Sequence, residues 1–240
     1  TYSDFTSVEE TLDYLAKRMV EDYPPIDNLN YTIHRVPDSM KDNFSPAAYL
    51  QSKIDTPIDD DEAIYINGDY DQSLFTTIAH EGYPGHMYQN VYFKSLRLPA
   101  IRYLIDYNGY SEGWANYVEM NSFQYATGDP AVLELMKLNQ LITQCQIAIM
   151  DIGIHYDGWD RDGFQDYFEQ WFGGDYPQET VDEQYNLILE TPTNYLQYYL
   201  NSMYFQDLYD YAEEELGGSF SPIEFHRVIL ETGPASYSIL

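Results

Sequence analysis

The stretch TTIAHEGYPGHMYQN, Thr76 to Asn90, holds two of the five histidines of the chain, His80 and His86, with Glu81 directly after the first. Histidines four apart on a helix, with a glutamate beside the first, present both imidazoles on one face and are a known zinc-binding arrangement. Here the separation is six residues. At about 100° per residue the second ring is turned by roughly 240° net from the first, so a regular helix would point the two apart. Pro84-Gly85 lies between them and combines a missing backbone donor with a residue of wide φ freedom. The spacing therefore predicts a helix bulged or broken at Tyr83-Pro84-Gly85, and only such a break lets the two imidazoles meet.

Outward from this stretch the chain reads as helix. Ser7-Val8-Glu9-Glu10 is a capping box that opens a first helix, which ends before Pro24-Pro25. NYTIHRVP and EAIYINGDY alternate as two short strands, and residues 38–62 between them read as loop. After Gln72 the pattern predicts helices over 72–93 (with its defect), 99–107, 112–126, 130–156, 163–172, 178–190, 192–216 and 222–231. Asp129-Pro130, Thr191-Pro192 and Ser221-Pro222 read as an N-cap residue followed by proline at the first helical position, while Gly173-Gly174 and Gly217-Gly218 read as stops. No repeat or linker interrupts the pattern. The expectation is one mainly α domain over 1–240 with a small β element near its start.

Composition sets outer limits. In 240 residues, 44% hydrophobic and 17% aromatic content suffices for a core, and 40 acidic against 11 basic residues give a formal charge of −29. Such a surface disfavours nucleic acid and anionic membrane as partners and fits a halophilic or secreted setting. The single cysteine, Cys145, sits in an apolar helical run and reads as a core residue, with no disulfide framework. No run is long and apolar enough to span a membrane. The chain begins without Met, so the expectation is a fragment of a longer protein.

A catalytic zinc site takes three protein ligands and leaves a position for water. YSEGWANYVE supplies the third donor: Ser111 reads as the cap of a helix opening with Glu112, where the helix dipole favours an anion. Glu119 lies seven residues on, along the same face, either as an outer support or as the ligand itself. Glu81 is the candidate general base.

HEGYPGH, SEGWANYVE and the ending FHRVILETGPASYSIL resemble the His-Glu-x-x-Pro-Gly-His bacterial proteins of domain-of-unknown-function family 885. The resemblance runs from about Tyr31 to Leu240. It implies a zincin-like (gluzincin) helical fold, a metallopeptidase-like activity on peptides, Zn²⁺ as cofactor, and an exported, often lipid-anchored protein with an additional helical region ahead of this part. The Glu-Gly-Trp-Ala segment is similar to the Glu-Gly-Phe-Ala segment of zinc aminopeptidases, which implies Glu112 rather than Glu119 as the third ligand beside His80 and His86. MDIGIHYDGW resembles the family's Asp-x-Gly-x-His segment and sets Asp151 and His155 at i and i+4; an active-site pair and a buried hydrogen-bonded pair are equal readings. TPTNYLQYYLN resembles a family segment through Pro192 and Tyr198 but departs from it at Asn194 and Asn201. Tyr198 is the expected hydrogen-bond donor to the tetrahedral intermediate, with His226 and His155 as further candidates. The same residues would serve hydrolysis of a non-peptide amide or ester, or a non-catalytic peptide- or glycan-binding module. A carboxypeptidase would need a cation for the terminal carboxylate, and Arg102, Arg161 and Arg227 are the candidates.

Overall fold

The computed structural model describes residues 2–27, 29–53, 55, 57, 60–105 and 107–240. The described residues form a mainly helical fold with a small sheet: α1 (Val8–Arg18), β1 (Tyr31–Arg35), β2 (Ala47–Leu50), β3 (Glu62–Ile66), α2 (Phe75–Glu81), α3 (His86–Ser95), α4 (Asn108–Ser122), α5 (Pro130–His155), α6 (Arg161–Phe172), α7 (Gln178–Glu190), α8 (Asn194–Leu216) and α9 (Pro222–Thr232). None of these helices is long and apolar enough to cross a membrane.

The caps account for most boundaries. Ser7 Oγ accepts from Glu10 N at 3.1 Å, and Glu10 Oε2 reaches one residue further back than a standard capping box, accepting from Thr6 N at 2.9 Å. Asp129 and Ser221 cap α5 and α9 ahead of their prolines, and Gly173 and Gly217 end α6 and α8. Three expectations are corrected. Of the helix expected over 99–107, the described residues form only a 3-10 segment, Ala100–Leu104, and residue 106 lies outside them. Thr193, in the left-handed region at φ 64°, precedes α8 in place of the Thr191-Pro192 cap. Part of the expected loop over 38–62 is β2, while the loop reading of residues 54, 56, 58 and 59 lies outside the described residues.

The sheet order is β1-β3-β2, with β1 parallel and β2 antiparallel to β3. β2 is thus an edge strand. Ile64 and Ile66 of β3 turn into a core shared with Leu12 and Leu15 of α1, Phe75 and Ile78 of α2, Met87 and Tyr88 of α3, Trp114 and Val118 of α4, and Phe205 of α8. A separate cluster, Met150, Ile154, Phe164, Phe168, Val181 and Ile188, binds α5 to α6 and α7. Between them, α8 packs closely on α4, because Gly109 and Gly113 have no side chain on the face it meets: a Cβ on Gly113 would lie 2.5 Å from Asn201 Cβ. That approach sets the first turns of α8 above Glu112.

Candidate metal centre

The polypeptide between His80 and His86 leaves the helix, as their spacing requires. α2 ends at Glu81 and α3 begins at His86. Across the gap Gly85 N donates to Ala79 O at 2.9 Å and Tyr88 N to Gly82 O at 3.2 Å, so bonds to the sixth preceding residue replace the helical ladder. Gly85 permits this fold-back, since a Cβ there would stand 1.7 Å from His80 O. Trp114 Nε1 donates to Pro84 O at 3.0 Å and fastens the break to α4.

The outcome is convergence. The two imidazole centroids are 4.8 Å apart with planes at 82°. Glu112 Oε2 lies 3.2 Å from His86 Nε2 and 3.7 Å from His80 Nε2. One donor atom from each of His80, His86 and Glu112 falls within 4.8 Å of the others. The remaining nitrogens are engaged from behind: His80 Nδ1 with Glu119 Oε2 at 2.9 Å, and His86 Nδ1 with Ser111 Oγ at 3.4 Å. Gln140 Nε2 of α5 in turn donates to Glu119 Oε1 at 2.8 Å. Both rings therefore offer Nε2 forward and are oriented through Nδ1, the pattern of metal-ligating histidines backed by outer partners. Burial opposes ionisation of Glu112, but its hydrogen bonds with His80 and His86 outweigh it and hold its carboxyl at about 2. Burial likewise opposes protonation of His80, and its bonds with Glu112 and Glu119 raise it to about 10.

Glu81 stands beside this cluster with its carboxylate held by the sheet: Oε2 accepts from Tyr49 N on the free edge of β2 at 2.7 Å. Tyr198 stacks over His80 at 6.2 Å between centroids with planes at 11°. Burial raises its phenol, and the facing Glu112 carboxylate raises it further. Two cavities border the cluster. One, about 800 Å³, is lined by His80, Glu81, Glu119, Tyr198, Tyr199 and the start of β2. The other, about 580 Å³, is lined by His86, Glu112, Tyr49, Gln89 and Arg102 among others.

The remaining candidates lie elsewhere. His226 is buried in the core, where Nε2 meets the Tyr117 hydroxyl at 3.0 Å, Nδ1 meets Asp22 O at 2.8 Å, and the ring stacks on Tyr23. With both nitrogens engaged it lines neither cavity, and burial lowers it to about 4. His155 Nδ1 bonds Asp151 Oδ1 at 2.8 Å, and the same oxygen accepts from Thr193 N at 3.1 Å. That pair secures the left-handed turn before α8 and also lines neither cavity. Ser111, expected as a helix cap, is inside α4, whose N-cap is Tyr107. Its contact with His86, the Gln140 contact with Glu119 and the Tyr49 contact with Glu81 were not visible in the sequence, because each joins elements far apart in the chain.

A helical body with a small sheet and a His₂Glu cluster at a broken helix defines the class. The chain is matched over residues 5–240 by the family model described as "Bacterial protein of unknown function (DUF885)", and it belongs to that family. Two solved structures share the fold. "The crystal structure of the putative lipoprotein from Colwellia psychrerythraea" superposes with a TM-score of 0.79 at 22% identity, over 97% of this chain and 40% of that one. A putative lipoprotein of unknown function from Shewanella oneidensis superposes at 0.74 and 16% identity, over 100% of this chain and 45% of that one. The chain thus spans less than half the length of either. No curated protein matches.

Proposed function

We propose that the protein is a zinc-dependent hydrolase of peptide bonds, in which His80, His86 and Glu112 would hold the metal. The observation that carries this reading is the convergence of two Nε2 atoms and one carboxylate oxygen within 4.8 Å, each imidazole being fixed through its other nitrogen. Two imidazoles and one carboxylate are a catalytic-zinc donor set. Bound Zn²⁺ supplies Lewis acidity and lowers the pKa of a coordinated water towards about 7. Glu81, on the same side and held through Oε2, has its other oxygen to take the proton of the attacking water and pass it to the leaving amine as the carbon–nitrogen bond breaks. Tyr198 is the donor placed to stabilise the oxyanion, and its raised phenol keeps that proton at neutral pH.

β2 runs beside both cavities, with Ala47 lining one and Tyr49 the other, and such an elongated space suits an extended peptide better than a compact ester. The likeness to proteins described as lipoproteins supports an exported or cell-surface location, and their greater length supports a further region of the protein as a partner of this one. A mixture-based peptide library incubated with the zinc-loaded protein tests the activity. Cleavage abolished by a chelator and restored by Zn²⁺ is expected, whereas cleavage indifferent to the chelator would refute the metal-dependent reading.

A further inference from the structure

The two cavities flanking the cluster differ in charge. The larger is lined by Glu81 and Glu119 and by no lysine or arginine, while the smaller is lined by both Lys94 and Arg102, in a chain with only 11 basic residues. Lys94 is already compensated. Its ammonium lies 3.7 Å from buried Glu62 and bonds Ser52 Oγ. Arg102 is different: it bonds the Thr232 carbonyl and lies 5.9 Å over the Phe93 ring, and it pairs with no carboxylate among the described residues. Arg161, by contrast, pairs with Asp182 at 2.8 Å and Arg227 with Glu224 at 3.2 Å, and neither lines the cavity.

Tyr110, which lines the same cavity, has its hydroxyl committed to the Ile229 carbonyl at 3.0 Å, so Arg102 is the cation left to this space. A guanidinium with one backbone bond keeps further N–H groups, which form a planar site for a carboxylate. We infer that Arg102 binds the C-terminal carboxylate of the substrate, so that the protein removes short C-terminal fragments from peptides. This assignment rests on the hydrolase reading above and names its substrate class. The position also sets the fragment length. Phe93 is two helical turns from His86 along α3, about 10 Å at 1.5 Å per residue, and an extended peptide covers about 3.3 Å per residue. The carboxylate would lie about two to three residues beyond the scissile bond, which makes the released fragment a di- or tripeptide.

The experiment uses N-acetylated peptide pairs that differ only in a free or amidated C-terminus. Binding is measured to the zinc-loaded Glu81→Gln protein and hydrolysis with the unsubstituted protein. Binding is expected to be about 10- to 100-fold tighter for the acid, with that preference collapsing towards about 1 in Arg102→Met and partly retained in Arg102→Lys. The acid-to-amide ratio is internal to each variant, so a general loss of folding cannot imitate the collapse. Equal binding of acid and amide would overturn the assignment. An acid preference that depends on Arg102, without hydrolysis by the unsubstituted protein, would leave the site standing and overturn the hydrolase reading instead.

Discussion

His80 and His155 each hold Nδ1 within hydrogen-bond distance of a carboxylate, 2.9 Å from Glu119 and 2.8 Å from Asp151, yet the two groupings serve different ends. At His80 the carboxylate stands behind the ring, and Nε2 faces forward to a second imidazole and a second carboxylate beside the larger cavity. At His155 the carboxylate is fully buried and shared with the backbone of Thr193, while Nε2 faces the Leu189 carbonyl at 3.4 Å. One grouping leaves donor atoms converging on a common space; the other uses its atoms to fasten α5 to the start of α8. A histidine–carboxylate contact therefore reveals little until the destination of the other nitrogen is known.

The largest effect that can break this contrast is kinetic. Glu81→Gln should lower peptide hydrolysis by about 10² to 10⁴-fold while zinc remains bound, because the amide keeps the shape but cannot take the proton of water. His155→Gln, measured in the same assay, should stay within a few-fold of the unsubstituted protein. A comparable loss in both would place His155 in the reaction after all.

Next in size is a pH effect at the core histidine. His226 is held at about 4 in the folded protein by burial, against about 6.5 in an unfolded chain. The unfolded state therefore binds the additional proton between these values, and stability falls as pH drops from about 6.5 through about 4. The full loss below that window is about 3 kcal/mol. Denaturant titrations of the unsubstituted protein and of His226→Gln across this range should show a flatter dependence in the variant; parallel curves would contradict the assignment.

Asp151→Ala should cost about 1 to 3 kcal/mol by freeing the Thr193 amide and His155, with zinc affinity retained. Glu119→Gln should do the reverse, weakening zinc about 10- to 100-fold with a smaller change in unfolding midpoint, because it only orients His80. Competition with a chromogenic chelator, run beside thermal unfolding, separates the two, and equal zinc affinities for Glu119→Gln and the unsubstituted protein would remove Glu119 from its supporting role.

Sequence alone carried the helices whose ends are chemically marked, such as α5 behind Asp129-Pro130 and α9 behind Ser221-Pro222, because caps act within one turn. It carried the break before His86 as well, since spacing and Pro84-Gly85 agree. It missed β2, four residues of weak strand character that gain their structure from pairing with β3, Ala47 opposite Ile66. The start of α8 was misplaced for a similar reason: Asp151, 42 residues earlier, holds the left-handed Thr193. Within the site, His80, Glu81 and His86 were legible because they are close in sequence. Glu112 and Glu119 were legible as well, two turns apart on one helix face, but the contacts of Gln140, Ser111 and Tyr49 depend on how α2, α3, α4, α5 and β2 meet, and single-chain patterns contain no record of that meeting.

Zinc stoichiometry tests the contrast between the two groupings most directly. The protein, stripped with chelator and dialysed against Zn²⁺, is compared by elemental analysis with His80→Ala and with His155→Ala. The expected result is one tightly held zinc per chain in the unsubstituted protein and in His155→Ala, and none in His80→Ala. Zinc retained by His80→Ala, or absent from the unsubstituted protein, would contradict the assignment of His80, His86 and Glu112 as a metal centre.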